Sequence, residues 1–465
     1  MVTRKKTKKA SRKKAVTEGN GVDLPILPPI ENNGDGVGAE TTGRYIVIFK
    51  PEAADAKTMA ATLNQIAGLS DVASSSDYDE GAVAAADLES SKAVQFDKLG
   101  IVVCSGEEEV AALATTASDA DSPILAIEPE YVAYLSQFAA SELPYEYLRG
   151  YREAVNQLCD GLFRGTAVEE AEISALFQDT AQFTWGLQAT RTHTSQFSGQ
   201  GIKVAVLDTG LDLQHQDFRG RSINSRSFVS GVTVQDVNGH GTHCIGTALG
   251  PRSPASGVRR YGVAFGAQIF AGKVFNNNPR PSAPTASVIA GIEWAMTNGC
   301  RVVSLSLGAA INQKIMQYEV PMRRALNAGT LVVAAAGNNA QRPANVGFVE
   351  PPANADAAMA VGAVDNQLRI ARFSARSSQL TGIGGLVNIA GPGVDVFSSL
   401  PTARGLHGSL SGTSMATPHV AGIAALWSQS TGESGVALWN RLLQNVRPLN
   451  LPSSDVGAGL VQAPQ

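Results

Sequence analysis

From residue 202 to residue 393, short apolar runs alternate with segments whose apolar residues recur at helical spacing. IKVAVLD (202–208), AQIFAGKVF (267–275), RVVSLSL (301–307), LVVAAAG (331–337), AAMAVGAV (357–364) and LVNIAGPG (386–393) are the runs. Their near-continuous apolar character predicts strands buried on both faces. TASVIAGIEWAMTNG (285–299) and VPMRRALNAG (320–329) lie between them and predict helices. The pattern therefore predicts an α/β fold over residues 184–465, a mostly parallel sheet with helices on both faces. Such sheets place ligands beyond the carboxyl ends of their strands. Asp208, Ser306 and Asn338 fall there.

A different pattern precedes it. In GRYIVIFKP (43–51), Tyr45, Val47 and Phe49 alternate with Ile46, Ile48 and Lys50, a β-prone run. KTMAATLNQIAGL (57–69) carries Met59, Leu63, Ile66 and Leu69 at helical spacing. KLGIVVCS (98–105) predicts a strand, EEEVAALATTA (107–117) a helix and PILAIEPEYVAYLS (123–136) a closing strand, with the acidic stretch 73–91 as loop. The order β-α-β-α-β suits a small α+β, ferredoxin-like unit over residues 44–136. Two further helices are expected at 143–163, with Leu148, Tyr151, Val155 and Leu158 on one face, and at 168–180. Residues 137–183 then form a linker, a part of the larger domain or a cover over its cleft. Residues 1–43 are expected to be tail and linker.

Composition narrows the class. Of 465 residues 44% are hydrophobic and 17% charged, enough apolar material for a large core and too little charge for global disorder. The longest apolar runs are far too short to span a membrane. Residues 1–14 hold eight Lys or Arg and no acid, so the rest of the chain carries a net charge of −12. Such a block reads as a solvated tail that could contact an anionic polymer. No aromatic residues are interleaved with it to support base recognition. No apolar stretch of the secretory-signal kind follows it. Cys104, Cys159, Cys244 and Cys300 are scattered, which argues against a disulfide framework or zinc site and fits a reducing compartment. A cytoplasmic location is the expectation, with non-classical export left open.

Three glycine-rich segments carry the candidate chemistry: VAVLDTGLD (204–212), GHGTHC (239–244) and SGTSMATPHVAG (411–422). A serine is a poor nucleophile without a base and a way to present its oxygen. Ser414 follows the turn residues Gly412 and Thr413 and opens a helix, whose positive end favours a developing anion. His240 opens another helix and supplies an imidazole, and Asp208 ends a strand. These segments resemble the subtilase family of serine proteases, and the match extends over about residues 184–465. The resemblance implies Ser414 as nucleophile, His240 as general base and then acid, and Asp208 as the carboxylate that orients His240. Asp212 is the nearest rival to Asp208. It also implies Asn338, in AAAGNN, as donor to the oxyanion, with Asn339 as the adjacent alternative. His243 is structural in that reading, and Cys244 is shared with the proteinase K branch.

Further implications follow from the same resemblance. Ser306, Leu307 and Gly308 would pair with substrate backbone, facing Ala335, Ala336 and Gly337 across the primary side-chain pocket. Those small walls suggest a roomy apolar slot without a charge reader, and hence an apolar or aromatic preference. The second rim, FNNNPRPSAPTAS (275–287), has prolines where a strand would be accepted, which puts pairing there in doubt. Residues 44–136 resemble a subtilase propeptide, expected to inhibit the enzyme by laying its last residues along the cleft. The chain is thus expected to be a serine endopeptidase made as a zymogen, a monomer acting on polypeptide substrates. The alternatives are a maturation protease dedicated to one partner polypeptide and an inactive peptide-binding scaffold. No cofactor is expected for catalysis. Structural calcium is common in the family, but ALGPRSPASGVRRYG (248–262) lacks the family's calcium-loop pattern, and no metal ligand is assigned.

Overall fold

Ile46 and Ile48 of the first strand enter one core while Val47 and Phe49 enter another, the two-sided burial that their unbroken apolar run requires. The computed structural model describes residues 39–119, 121–135, 176–377 and 385–465. The basic stretch 1–14 and the helix expected at 143–163 lie outside the described residues. So does most of the helix expected at 168–180, of which 176–180 is irregular chain.

The smaller unit holds β1 (Thr41–Phe49), β2 (Ala73–Ser74), β3 (Ala93–Phe96), β4 (Ile101–Cys104) and β5 (Ile124–Leu135). They lie in the order β5-β1-β4-β3-β2, antiparallel except for the β2–β3 pair. Met59 and Leu63 of helix Ala56–Ala67 and Val110 and Leu113 of helix Glu107–Ala117 cover the Val47/Phe49 face. The other face shares its core with helices Thr285–Thr297 and Met316–Asn327 of the larger unit. Two details differ from the sequence reading. The first strand starts at Thr41, ahead of residue 44, and the supposed loop at 73–91 contains helix Ala85–Ser90, with β3 following it. Leu88 is the one large side chain that this short helix buries, too little for a periodic signal.

The larger sheet contains β6 (Lys203–Asp208), β7 (Ile223–Ser227), β8 (Gln268–Lys273), β10 (Val302–Leu305), β12 (Leu331–Ala335), β13 (Ala358–Val364), β14 (Ile389–Pro392), β17 (Val446–Arg447) and β18 (Leu460–Val461). Their order is β17-β18-β14-β13-β12-β10-β6-β8-β7, and every pair except β17–β18 is parallel. Side-chain alternation feeds two cores. Val204 and Val206 of β6 pack with helices His240–Leu249 and Thr413–Thr431, whereas Ala205 and Leu207 pack with helix Thr285–Thr297. The fold is therefore the α/β architecture expected, with a helical layer on each face.

Two short strands, β9 (Ser282–Pro284) and β11 (Leu307–Gly308), stand apart from that sheet, as does the hairpin of β15 (Val396–Ser399) and β16 (His407–Leu410). The end of β5 runs antiparallel between β9 and β11. Leu135 faces Leu307 and Tyr134 faces Gly308 on one side, and Val132, Ala133 and Tyr134 face Pro284, Ala283 and Ser282 on the other. The rim whose pairing was in doubt thus accepts a strand of this same chain. A proline deletes only its own N–H, so Pro284 keeps its place in the register, while Ser282 N donates to Asn276 Oδ1 at 3.2 Å.

β5 also reaches two helix starts. Helices Thr285–Thr297 and Met316–Asn327 have no side-chain cap from their own N-cap residues, Pro284 and Ile315. Glu130 accepts a hydrogen bond from Ala286 N at 2.8 Å. Glu128 accepts from Met316 N at 2.8 Å and Gln317 N at 2.9 Å. A carboxylate at a helix N-terminus answers both unpaired N–H groups and the helix dipole.

Candidate active site

Asp208 is the last residue of β6, and its loop turns directly against the start of helix His240–Leu249. Gly241 makes that approach feasible, because a Cβ there would lie 2.3 Å from the Gly210 carbonyl oxygen. Asp236 sets the helix start by accepting from Gly239 N at 2.8 Å and from Thr242 N and Oγ1 at 2.9 and 2.7 Å. Thr209 Oγ1 donates to Asp236 Oδ1 and accepts from Gly241 N, which ties the two loops together. The result is a 2.7 Å hydrogen bond from His240 Nδ1–H to Asp208 Oδ1, with both side chains buried. Gly241→Ala is expected to lower kcat/KM by about 10²-fold by displacing His240 from Asp208. Steady-state kinetics beside a melting curve checks this.

Burial works against charge on the His240 imidazole. The Asp208 carboxylate outweighs it and lifts the His240 pKa well above the ordinary value. His240 Nε2, the other ring nitrogen, is buried and has no hydrogen-bond partner among the described residues. Asp212, the rival acid, is committed elsewhere. It accepts from Thr402 N and Oγ1, both at 2.8 Å, and from Gln214 N at 3.1 Å.

Ser414 lies in the first turn of helix Thr413–Thr431, fully buried, and its carbonyl ties it to both neighbouring elements. Ser306 Oγ donates to Ser414 O at 2.9 Å, and Cys244 Sγ donates to the same atom at 3.5 Å. Cys244 Sγ is also 3.8 Å from His240 Nδ1, so the imidazole and the Ser414 turn meet around one buried thiol. Burial pushes the Cys244 thiol up, which keeps it protonated. Thr413 N and Oγ1 donate to Asn338 Oδ1 at 2.9 and 3.0 Å. That pairing fixes the amide with its Nδ2 donor turned away from Thr413. Asn339 is engaged elsewhere, donating to Phe348 O at 2.9 Å and Glu350 Oε1 at 2.8 Å.

Four of the five remaining imidazoles have structural partners. His243 Nε2 donates to Val396 O and His419 Nδ1 to Met415 O, and burial pushes them down to about 3 and about 4. His215, Asp217 and His407 form a second compact group. Asp217 there accepts from Ser256 N and Oγ, Tyr261 Oη and His407 Nε2, while His215 uses both ring nitrogens toward Asp217 N and Leu406 O. Calcium takes six to eight oxygen ligands, and this filled, partly imidazole set does not fit it.

Ser306 leads from β10 into β11, which holds Leu307 and Gly308, while Ala335 ends β12 and Ala336 and Gly337 follow it, and all six are buried from solvent. Sequence reasoning expected no charge reader between them. The structure brings Glu350 against the end of β12, its backbone N donating to Ala336 O at 3.0 Å. A lone acid in the run VGFVEPP was the available signal. Asp236 was missed as well, because a helix-capping role leaves no motif beyond an acid before a glycine.

A sequence profile described as the Subtilase family matches residues 199–452. M-protease of Shouchella clausii (strain KSM-K16) is 39% identical over 300 residues, 63% of this chain and 72% of that protein. Subtilisin Savinase of Lederbergia lenta is 39% identical over 284 residues, 60% of this chain and 96% of its own length. Thermitase of Thermoactinomyces vulgaris is 38% identical over 229 residues, covering 49% and 75%. Among solved structures, one titled S41 Psychrophilic Protease aligns with a TM-score of 0.53 at 29% identity, over 61% of this chain and 99% of that one. With an acid and an imidazole joined at the carboxyl end of the central sheet, and with this breadth of similarity, the chain belongs to the subtilase family and is a serine endopeptidase.

Proposed function

We propose that the chain is a zymogen whose mature part cleaves polypeptides through an acyl-enzyme on Ser414. The observation that carries this is the 2.7 Å Asp208–His240 pair beside the Ser414 turn. His240 takes the Ser414 hydroxyl proton as the oxygen attacks the scissile carbonyl, then returns it to the leaving amine. Asp208 holds the tautomer with the proton on Nδ1 and stabilises the imidazolium. Asn338 Nδ2 and the Ser414 backbone N–H receive the negative charge of the tetrahedral intermediate. Asn338→Leu is expected to lower kcat by ~10²–10³ with KM little changed, because the donor acts only once that charge develops. Initial-rate kinetics on one peptide amide checks it.

Residues 44–136 act in this reading as the chain's own inhibitor. Support comes from β5, which occupies the edge between β9 and β11 by the main-chain pairing that an extended substrate would use. Reaction with a fluorophosphonate tests the proposal directly. The processed chain should label at Ser414, and the unprocessed chain should label far more slowly. A processed chain that never labels would leave a peptide-binding scaffold instead.

A further inference from the structure

In the slot expected between residues 306–308 and 335–337, an acid would close the inner end. Glu350 N is bonded to Ala336 O, and Ala309 N donates to Pro351 O at 3.0 Å, so residues 350–351 bridge from one wall to the other. The side chain lies against Gly337, whose φ of +119° already favours glycine. A Cβ built at 337 would meet Glu350 Cδ at 3.1 Å and Oε2 at 3.2 Å. The carboxyl thus occupies space opened by the missing side chain. Asn339 Nδ2 holds Oε1 at 2.8 Å, and no donor reaches Oε2 among the described residues. Burial pushes the Glu350 pKa up to about 7, the Asn339 hydrogen bond acts in the opposite sense, and no cation offsets the burial.

We propose that Glu350 is a specificity residue that reads the side chain immediately before the cleaved bond and selects lysine or arginine there. The inference rests on the peptidase reading of Asp208, His240 and Ser414, and it names the substrate class: polypeptides cut after a basic residue. An apolar side chain filling the slot would cover Oε2 and leave it without a partner, which is costly for any buried polar atom. A cation at the end of a long flexible stem supplies both the charge and the donor. The side chain is anchored through Oε1 alone, so its second oxygen is presented at a fixed place. Small walls on both sides leave room for the stem.

The test uses the full chain after self-processing and a series of peptide amides differing only in the residue before the scissile bond: Arg, Lys, Gln, Leu or Phe. Active sites are counted by fluorophosphonate titration. Wild type should favour Arg and Lys over Gln, Leu and Phe in kcat/KM. Glu350→Gln should lower kcat/KM for Arg and Lys about thirtyfold or more, as loss of one member of a buried charge pair does, and raise it for Leu. Glu350→Asp should keep the basic preference, which guards against a misfolded Gln variant. A wild type that favours Leu or Phe overturns the inference, as does an equal loss on every substrate in Glu350→Gln, the mark of a merely structural anchor for Asn339. Those outcomes leave the peptidase reading intact, provided Ser414 labels. Absence of both cleavage and labelling would remove the two together.

Discussion

Ser414→Ala is expected to lower peptide turnover by about 10⁶-fold, the size of loss that removal of a subtilisin-type nucleophile produces. No neighbouring group can take over. The Cys244 thiol is kept protonated by burial and its Sγ is directed at the Ser414 carbonyl. The Thr413 hydroxyl is spent on Asn338. Once residues 44–136 are removed by an added protease, turnover some 10³–10⁴ above that in water should survive, because Asn338 and the two rims still bind and polarise the scissile amide. The substitution removes one small atom from a helix turn whose backbone contacts remain, so the melting temperature should barely move. Intact-mass measurement adds a second readout. The variant should stay full length while wild type shortens. Equal shortening of both would assign processing to another protease, and undiminished turnover would acquit Ser414 altogether.

Asp208→Asn is expected to cost about 10⁴-fold in kcat/KM near neutral pH, because an amide can donate to Nδ1 and so favours the tautomer that cannot accept the serine proton. The pH profile separates this from a loss of folding. In the native enzyme the His240 pKa stands well above its ordinary value, held there by Asp208 against burial. Only neutral His240 can act as base, so activity should fall as pH drops through that raised value. In the variant burial loses its main opponent, and this acid limb should move to lower pH. Stability follows the opposite direction. A raised folded-state pKa contributes stability that is fully present below the unfolded-state value and is lost as pH rises through the folded-state value. Asp208→Asn should therefore destabilise the protein most in acid, read as a melting-temperature difference that shrinks toward alkaline pH. A limb that stays in place in the variant would mean that Asp208 does not control His240.

Much of the larger sheet could be read in advance because parallel strands buried on both faces must be apolar along their whole length. IKVAVLD and LVVAAAG therefore announce themselves, and the residues that follow them lie where the sheet delivers ligands. Asp208 and His240, 32 positions apart in the chain, were recognisable from their motifs, and the 2.7 Å contact supplies what motifs cannot, namely that they touch. Glu350 was not legible. Its position depends on a backbone pairing with Ala336 and on the empty side of Gly337, and neither leaves a trace in local periodicity. That β5 would pair with β9 was hidden because the rule about ladder donors bears on single N–H groups, whereas Ser282, Ala283 and Pro284 all sit in the pairing register. Helix Ala85–Ser90 escaped for want of turns, since six residues cannot display a 3.6-residue repeat.

Glu128 and Glu130 have a consequence for how the molecule comes into being. Two long helices of the larger unit depend for their first N–H groups on carboxylates that arrive from a strand some 150 to 190 positions earlier. Without that strand each start would be uncapped, at roughly 1 kcal/mol apiece, and would have to nucleate against water. The early segment is thus expected to template what is synthesised after it, and a polypeptide lacking it would reach the same architecture by a slower route.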